Sequence, residues 1–335
     1  MNFVSIGDLA QSFQTRRQHA TIKAQISKLS GELASGRVSD TAATVSGDFT
    51  PVSGIQSALT TLQSYKITNG EAAVVTEAIQ SVLSTIQNTS SDLGPAVLAA
   101  GNTAQPAILR TSSVDAREKL NGAVSRLNMQ VAGRSLFAGA ALDRPALASA
   151  DVMMADVMSA ISGLTTATDI AAAVDAWFDP GGGFETVAYL GSDTPATGFQ
   201  LAPGETAQVG ANAKDDTIRG ILKGFVLGSI VAEGGLAGST SQSAELMTRA
   251  GEQLVTAQDD LAILQSAVGS VQARIETAAT VNSAETSALE IARSKILGVD
   301  PYEVATRLEE TRTQLETLYT ITARSSRLSL VDFLR

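Results

Sequence analysis

The sequence predicts a mainly α protein. Its N- and C-terminal parts form a long antiparallel helical bundle or coiled coil, and a small mixed α/β central domain is inserted between them. Three observations carry this expectation. Apolar residues from Leu254 to Ile296 recur at spacings that alternate three and four. Both ends carry amphipathic helical patterns of roughly thirty residues. Glycine and proline crowd only the middle, at Pro180-Gly181-Gly182-Gly183, Gly191, Pro195, Gly198 and Pro203-Gly204. The expected divisions are an N-terminal assembly helix over 1–40, the first bundle half over 41–140, an outward-facing mixed domain over 141–235, the second bundle half over 236–298, and a C-terminal assembly helix over 299–335.

Taken in order, Phe3, Ile6, Ala10 and Phe13 share one helical face, and Ile22, Ile26, Leu29 and Leu33 repeat it until Ser35-Gly36 stops the helix. Residues 41–54 are small and polar and contain Pro51, so they read as a connector. Helical periodicity resumes at Ile55, Leu59 and Leu62 and is clear at Val75, Ile79, Val82, Ile86 and Leu93, with Gly94-Pro95 expected to interrupt or kink it. Leu120, Val124, Leu127 and Val131 mark a further helix, with Ser112 or Ser113 as its cap. In the centre, Phe184, Val187, Tyr189, Phe199, Leu201 and Val209 suggest short strands. Asp215 and Asp216 read as caps of a helix through Ile218, Leu222, Phe225 and Leu227.

The pattern from Leu254 runs through Ala257, Leu261, Leu264, Val268, Val271, Ile275, Ala278, Asn282, Glu285, Leu289 and Ala292 to Ile296. Sustained over about six heptads, it predicts packing along a left-handed seam with Asn282 and Glu285 as polar interruptions. Asp300-Pro301 breaks the chain and starts a last helix with Val304, Leu308, Leu315 and Leu318 on one face, followed by Leu328, Leu330, Phe333 and Leu334. Terminal helices of this kind gain most of their stability from packing an apolar face onto something else. They are therefore expected to be assembly elements, ordered by neighbouring subunits; pairing of the two ends within one chain is the alternative.

Composition narrows the functional classes. Cysteine is absent and His19 is the single histidine, which leaves thiolate chemistry, most metal centres and nucleophile–base dyads without their usual side chains. His19, among Arg17, Gln18 and Ala20, reads as a solvated helix residue. No G-x-x-x-x-G-K-[ST], G-x-G-x-x-G, G-x-S-x-G, S-x-x-K or H-E-x-x-H motif occurs, and Gly181–Gly183 reads as a turn. Asp259-Asp260 and Glu309-Glu310 are sequence neighbours on helices and do not face each other. Between Gly139 and Asp216 eleven acidic residues face only Arg144 and Lys214, so nearly all of the net charge of −10 lies in the middle. With no basic stripe, binding to nucleic acid or anionic membranes is not expected. Neither a catalytic residue nor a cofactor or metal is expected. Ile221 to Ala232 is the longest apolar stretch and too short to span a bilayer, and MNFVSIGDLAQSFQTRR does not read as a cleavable signal.

Several segments resemble a known family. The run from Asp300 to Arg335 is similar to the terminal helix of bacterial flagellins and of the hook–filament junction proteins of the hook-associated protein 3 type, which end in an SL-plus-aromatic-Leu tail like Leu328 to Leu334 here. GRSLFAGAALDRPAL, Gly133 to Leu147, resembles the GR-aromatic-F-[AS]-G stretch of the junction proteins, with Ser135 where an aromatic is usual. Tyr189-Leu190-Gly191 is similar to the start of the family's outer domain. LASGR, Leu33 to Arg37, resembles a flagellin turn, but VSDTAATVSGDF replaces the acidic motif that follows it in flagellins. The likeness covers the first forty residues, 113–147 and about ninety C-terminal residues, and is weaker at the centre.

The resemblance implies terminal helices that pair in the core of a tube, a surrounding helical bundle and an outward-projecting centre. It implies a structural subunit of the bacterial flagellum at the hook–filament junction, exported by the flagellar type III route to the cell exterior without a cleaved signal. Its partners would be further copies in a ring or helical oligomer, a neighbouring hook-associated protein and flagellin, and a flagellar export chaperone. A filament-forming flagellin is the alternative within the family; a cytoplasmic coiled-coil scaffold or signalling protein, and an unrecognised enzyme, are the alternatives outside it. The residues expected at the assembly surface are Phe3, Ile6, Phe13, Ile22, Ile26, Leu29, Leu33, Val304, Leu308, Leu315, Leu318, Leu328, Leu330, Phe333 and Leu334.

Overall fold

The structure, a computed structural model, describes the backbone of residues 6–333 and the side chains of residue 10 and residues 12–324. Among the described residues the elements are helices α1 (Ile6–Ser35), α2 (Thr41–Thr44), α3 (Thr50–Thr103) and α4 (Pro106–Leu127), strands β1 (Gln130–Val131) and β2 (Arg134–Ser135), helices α5 (Ala150–Ala160) and α6 (Ala167–Phe178), one turn of π-helix (Phe184–Ala188), strands β3 (Phe199–Ala202) and β4 (Glu205–Ala207), and helices α7 (Asp216–Ser229), α8 (Thr240–Leu297) and α9 (Pro301–Phe333). The chain divides into two compact units, one of residues 1–62 with 283–335 and one of residues 63–282. The expected mainly α bundle with a small α/β part is the fold observed.

In the second unit α3 and α8 run antiparallel. Ala72 packs with Ile275 and Ala278 at one end, while at the other a Cβ on Gly94 would touch Leu254 and Val255. The backbones approach closely where glycine removes a side chain: a Cβ on Gly251 would lie 2.5 Å from Leu98 Cγ and 2.9 Å from the Gly94 carbonyl. The heptad pattern of α8 is thus spent on α3, with Leu254, Leu261, Val268 and Ile275 buried. Asn282, the first polar interruption, is buried for a reason the heptad does not reveal. Its Nδ2 donates to the Leu201 carbonyl at 2.8 Å and pins the β3–β4 hairpin to α8. The hairpin lays Leu201 and Ala207 against Ala72, Ile275 and Ala278.

The remaining helices join α3 and α8 around one apolar core in which, among the described residues, Phe137, Phe184 and Phe225 are the largest fully buried side chains. Five sequence expectations are corrected. Gly94-Pro95 does not end the helix: α3 continues through Pro95, whose exposed position lets water take the carbonyl that proline leaves without a donor. Ser113 is not a cap, because α4 begins at Pro106; it is a buried crosslink whose Oγ donates to the Gly228 carbonyl at 2.6 Å and accepts from the Ala232 amide at 2.8 Å. Phe184–Ala188 is not a strand, since its side chains close an aromatic cluster in which the Phe184 ring stacks on Phe178 at 5.4 Å and meets Trp177 edge-on at 6.1 Å. Residues 41–54 are not wholly a connector: α3 already starts at Thr50, with Pro51 in its first turn and the Asp48 carboxylate accepting from the Thr50 amide at 2.9 Å. Val131, read as helical, lies instead in β1.

The segment Gly133–Leu147 stitches distant parts of this unit together. Asn128 exchanges two hydrogen bonds with the Leu147 backbone, each 2.8 Å long. The Phe137 carbonyl accepts from Ala213 and the Ala138 carbonyl from Ser192, both at 2.9 Å. Gly139 adopts φ +61°, and a Cβ there would lie 2.5 Å from the Ser192 carbonyl.

Candidate assembly interface

The terminal helices meet in the first unit, α1 and α9 lying antiparallel along each other. At one end Leu29 packs with Val304 and Leu308, flanked by half-buried Ile26 and Val299. Further along, His19 and Tyr319 bring their ring centroids to 4.8 Å. His19 is therefore half-buried against an aromatic ring and not the solvated residue expected. The two amphipathic stripes thus cover each other in part within one chain, at Leu29, Val304 and Leu308 and at His19 and Tyr319. This is the alternative set against ordering by neighbouring subunits alone.

Backbone geometry fixes where the pair begins. Gly36, at φ +68°, turns the chain out of α1, and its amide donates back to the Glu32 carbonyl at 2.8 Å. Val38 then donates to the Leu297 carbonyl at 2.9 Å, and Val299 donates to the Gly36 carbonyl at 3.2 Å. The LASGR turn thus clasps the break between α8 and α9. Asp300 caps α9 through its Oδ1, which accepts from the Tyr302 amide at 2.8 Å. The buried Glu32 carboxylate accepts from the Ser39 amide at 2.9 Å. That bond, with Lys28 and Arg307 nearby, holds its pKa below the usual glutamate value against the opposing effect of burial.

Of the residues expected at the assembly surface, Ile26, Leu29, Val304 and Leu308 are brought together in this cluster, with Ile22, Leu315 and Leu318 half-buried along the same pair. Phe13 and Leu33 are not covered and stay 67% and 37% exposed. Phe3 and Leu334 lie outside the described residues, as do the side chains of Ile6, Leu328, Leu330 and Phe333. Tyr302, 84% exposed, and Ile321, 58% exposed, were not singled out from the sequence and extend the uncovered apolar surface. An open groove of about 670 Å³ runs between the helices, walled by Ile22, Leu318 and Ile321 with Gln14, Gln18 and Thr317. Of the exposed apolar residues, Ile321 lines this groove, while Phe13, Leu33 and Tyr302 lie elsewhere on the pair; uncovered apolar side chains of this kind mark a candidate association surface. Among the described residues no group of three or more His, Cys, Asp or Glu is placed to hold a metal ion, and no helix is long and apolar enough to cross a membrane.

Residues 252–334, most of α8 and α9, match the bacterial flagellin C-terminal helical region. No curated protein matches the chain by sequence. Among solved structures, FlgL of Bacillus cereus superposes with a TM-score of 0.52 at 16% identity, covering 72% of this chain and 100% of that one. A flagellar hook-associated protein from Vibrio parahaemolyticus superposes with a TM-score of 0.50 at 10% identity, covering 72% of this chain and 94% of that one. At these identities the likeness is one of fold.

Proposed function

We propose that this chain, which carries a flagellin C-terminal helical region on the fold seen in FlgL, is a non-catalytic structural subunit of the bacterial flagellum that sits between hook and filament. The observation that carries the reading is the coincidence of two independent features. The stretch that matches the flagellin region contains α9, and α9 with α1 forms the paired helices on whose outer surface Phe13, Leu33, Tyr302 and Ile321 stay uncovered. In this reading the pair is the assembly element, its inner stripe closed within the chain and its outer side chains closed by neighbouring subunits, a hook-associated protein on one side and flagellin on the other. The acidic centre then faces solvent, export follows the flagellar type III route with a dedicated chaperone, and the mature location is outside the cell.

Deletion of the gene tests this. Loss of the junction leaves hooks without filaments and flagellin monomers in the medium, and motility returns with the wild-type gene but not with Ile321→Asp. Full-length filaments in the deletion strain would reject the junction role. A strain that lacks filaments and also retains no intact flagellin outside the cell would favour the filament-forming alternative.

A further inference from the structure

α1 and α9 meet through their apolar stripes, and among the described residues no ion pair joins them although their charges differ in sign. Apart from His19, the charged side chains described on α1 are the exposed cations Arg16, Arg17, Lys23 and Lys28 and one carboxylate, Glu32, which is buried on the Ser39 amide. On α9 Glu303 pairs with Arg307 and Glu309 with Arg312. That leaves Glu310, Glu316 and Arg324 exposed and without an ion pair among the described residues.

The antiparallel register sets these charges at matching heights. Leu29 packs with Val304 and Leu308, and His19 meets Tyr319. Lys28 therefore stands level with Glu310, and Lys23 with Glu316. The helical period turns all four away from the seam, so the opposite charges flank the pair instead of crossing it. The cleft beside Lys28 also holds Glu32, Asp40, Asp300, Glu303 and Arg307. Its carboxylates are engaged locally: Asp40 accepts from the Ala43 amide at 3.1 Å, Asp300 from Tyr302 at 2.8 Å, and Glu303 lies 3.6 Å from Arg307. Shape agrees with charge. Ala20, Ala24 and Gly31 are exposed on the outer side of α1, and a Cβ on Gly31 would meet open space. The outer side of α9 carries an open hollow of about 680 Å³ walled by Tyr302, Thr306, Glu309, Glu310 and Thr313.

We infer that the outer side of α1 in one copy docks on the outer side of α9 in the next, with Lys28 meeting Glu310 and Lys23 meeting Glu316. The contact is heterologous, so it repeats from copy to copy around a ring or along a helix. Opposite charge steers the two faces together and fixes their register. The inference rests on the reading of α1 and α9 as the assembly element, and it names which face meets which.

Sedimentation of the purified full chain tests it. Self-association should weaken as salt rises from about 50 mM to about 500 mM. Lys28→Glu and Glu310→Lys should each weaken it roughly three- to tenfold, and the chain carrying both substitutions should recover most of the wild-type affinity. A wild type that stays monomeric in low salt, single variants that associate as tightly as the wild type, or a double variant no tighter than the weaker single one overturns the inference. The chain has no cysteine, so Lys28→Cys and Glu310→Cys each introduce one thiol. A short bismaleimide should couple a mixture of these two variants into dimers and neither variant alone. Equal coupling of one variant with itself, or none in the mixture, overturns the inference as well. The purified chain needs neither hook nor flagellin for this contact, so its failure leaves the junction role standing, and failure of the junction role leaves the contact standing.

Discussion

Leu308→Ala isolates the pairing of the terminal helices. Leu308 is 5% exposed and belongs to a cluster whose other buried members, among the described residues, are Leu29 and Val304. Truncation of a buried leucine destabilises by about 2–5 kcal/mol, depending on how far the surroundings collapse. Here half-buried Ile26 and Val299 border the cluster and can move inward, which places the expected loss at about 2–3 kcal/mol. At 1.4 kcal/mol per factor of ten, amide protection in the paired parts of α1 and α9 should fall roughly 30- to 140-fold. Native-state hydrogen exchange reads this directly, because each compact unit reports its own opening. Protection in α4 and α7, whose core includes Leu120 and Phe225, should hold. Unchanged exchange around Leu29 and Val304, or an equal loss in α4 and α7, would refute the reasoning that this small cluster closes the pair.

Asn282→Ala removes the donor to the Leu201 carbonyl; the expected loss is about 1–3 kcal/mol in urea unfolding, with faster exchange in the β3–β4 hairpin. Two glycines of α3 should respond with opposite signs. Gly70→Ala meets open space and should stabilise by about 0.5–1 kcal/mol, whereas Gly101→Ala would put a Cβ 2.8 Å from the Ala244 carbonyl and 2.9 Å from the Thr248 amide and should destabilise by about 1–3 kcal/mol, both read by thermal unfolding. Glu32 has a folded-state pKa below its unfolded value, so its contribution is fully present above the ordinary value of 4.5 and is lost as pH falls through the lowered one. Exchange of the Ser39 amide should accelerate on acidification in the wild type beyond the intrinsic pH trend, and Glu32→Gln should remove that excess.

Long periodic segments were legible in the sequence because their cause is local. The alternating spacing of α8 follows from helix geometry, and its partner α3 shows the same period from Val75 to Leu93. The Ser35-Gly36 stop and the Asp300-Pro301 start were legible for the same reason: φ +68° at Gly36 and the Asp300 cap are properties of a few neighbouring residues. Misreadings fall where a distant contact decides. A serine that caps a helix and one that bonds Gly228 more than a hundred positions away look alike in sequence, and so Ser113 was misassigned. Apolar residues at Phe184, Val187 and Tyr189 between glycines suggest a strand until Trp177 and Phe178 pack against Phe184. Leu29 against Val304 and His19 against Tyr319 depend on the antiparallel register of two helices at opposite ends of the chain, which no local pattern encodes. The stripe itself was visible; how much of it one chain covers was not.

Immunogold electron microscopy of intact flagella, with an antibody raised against the acidic central region, tests the proposed role most directly. A single cluster of label between hook and filament is the predicted result. Label spread along the filament, or confined to the cell interior, would contradict it.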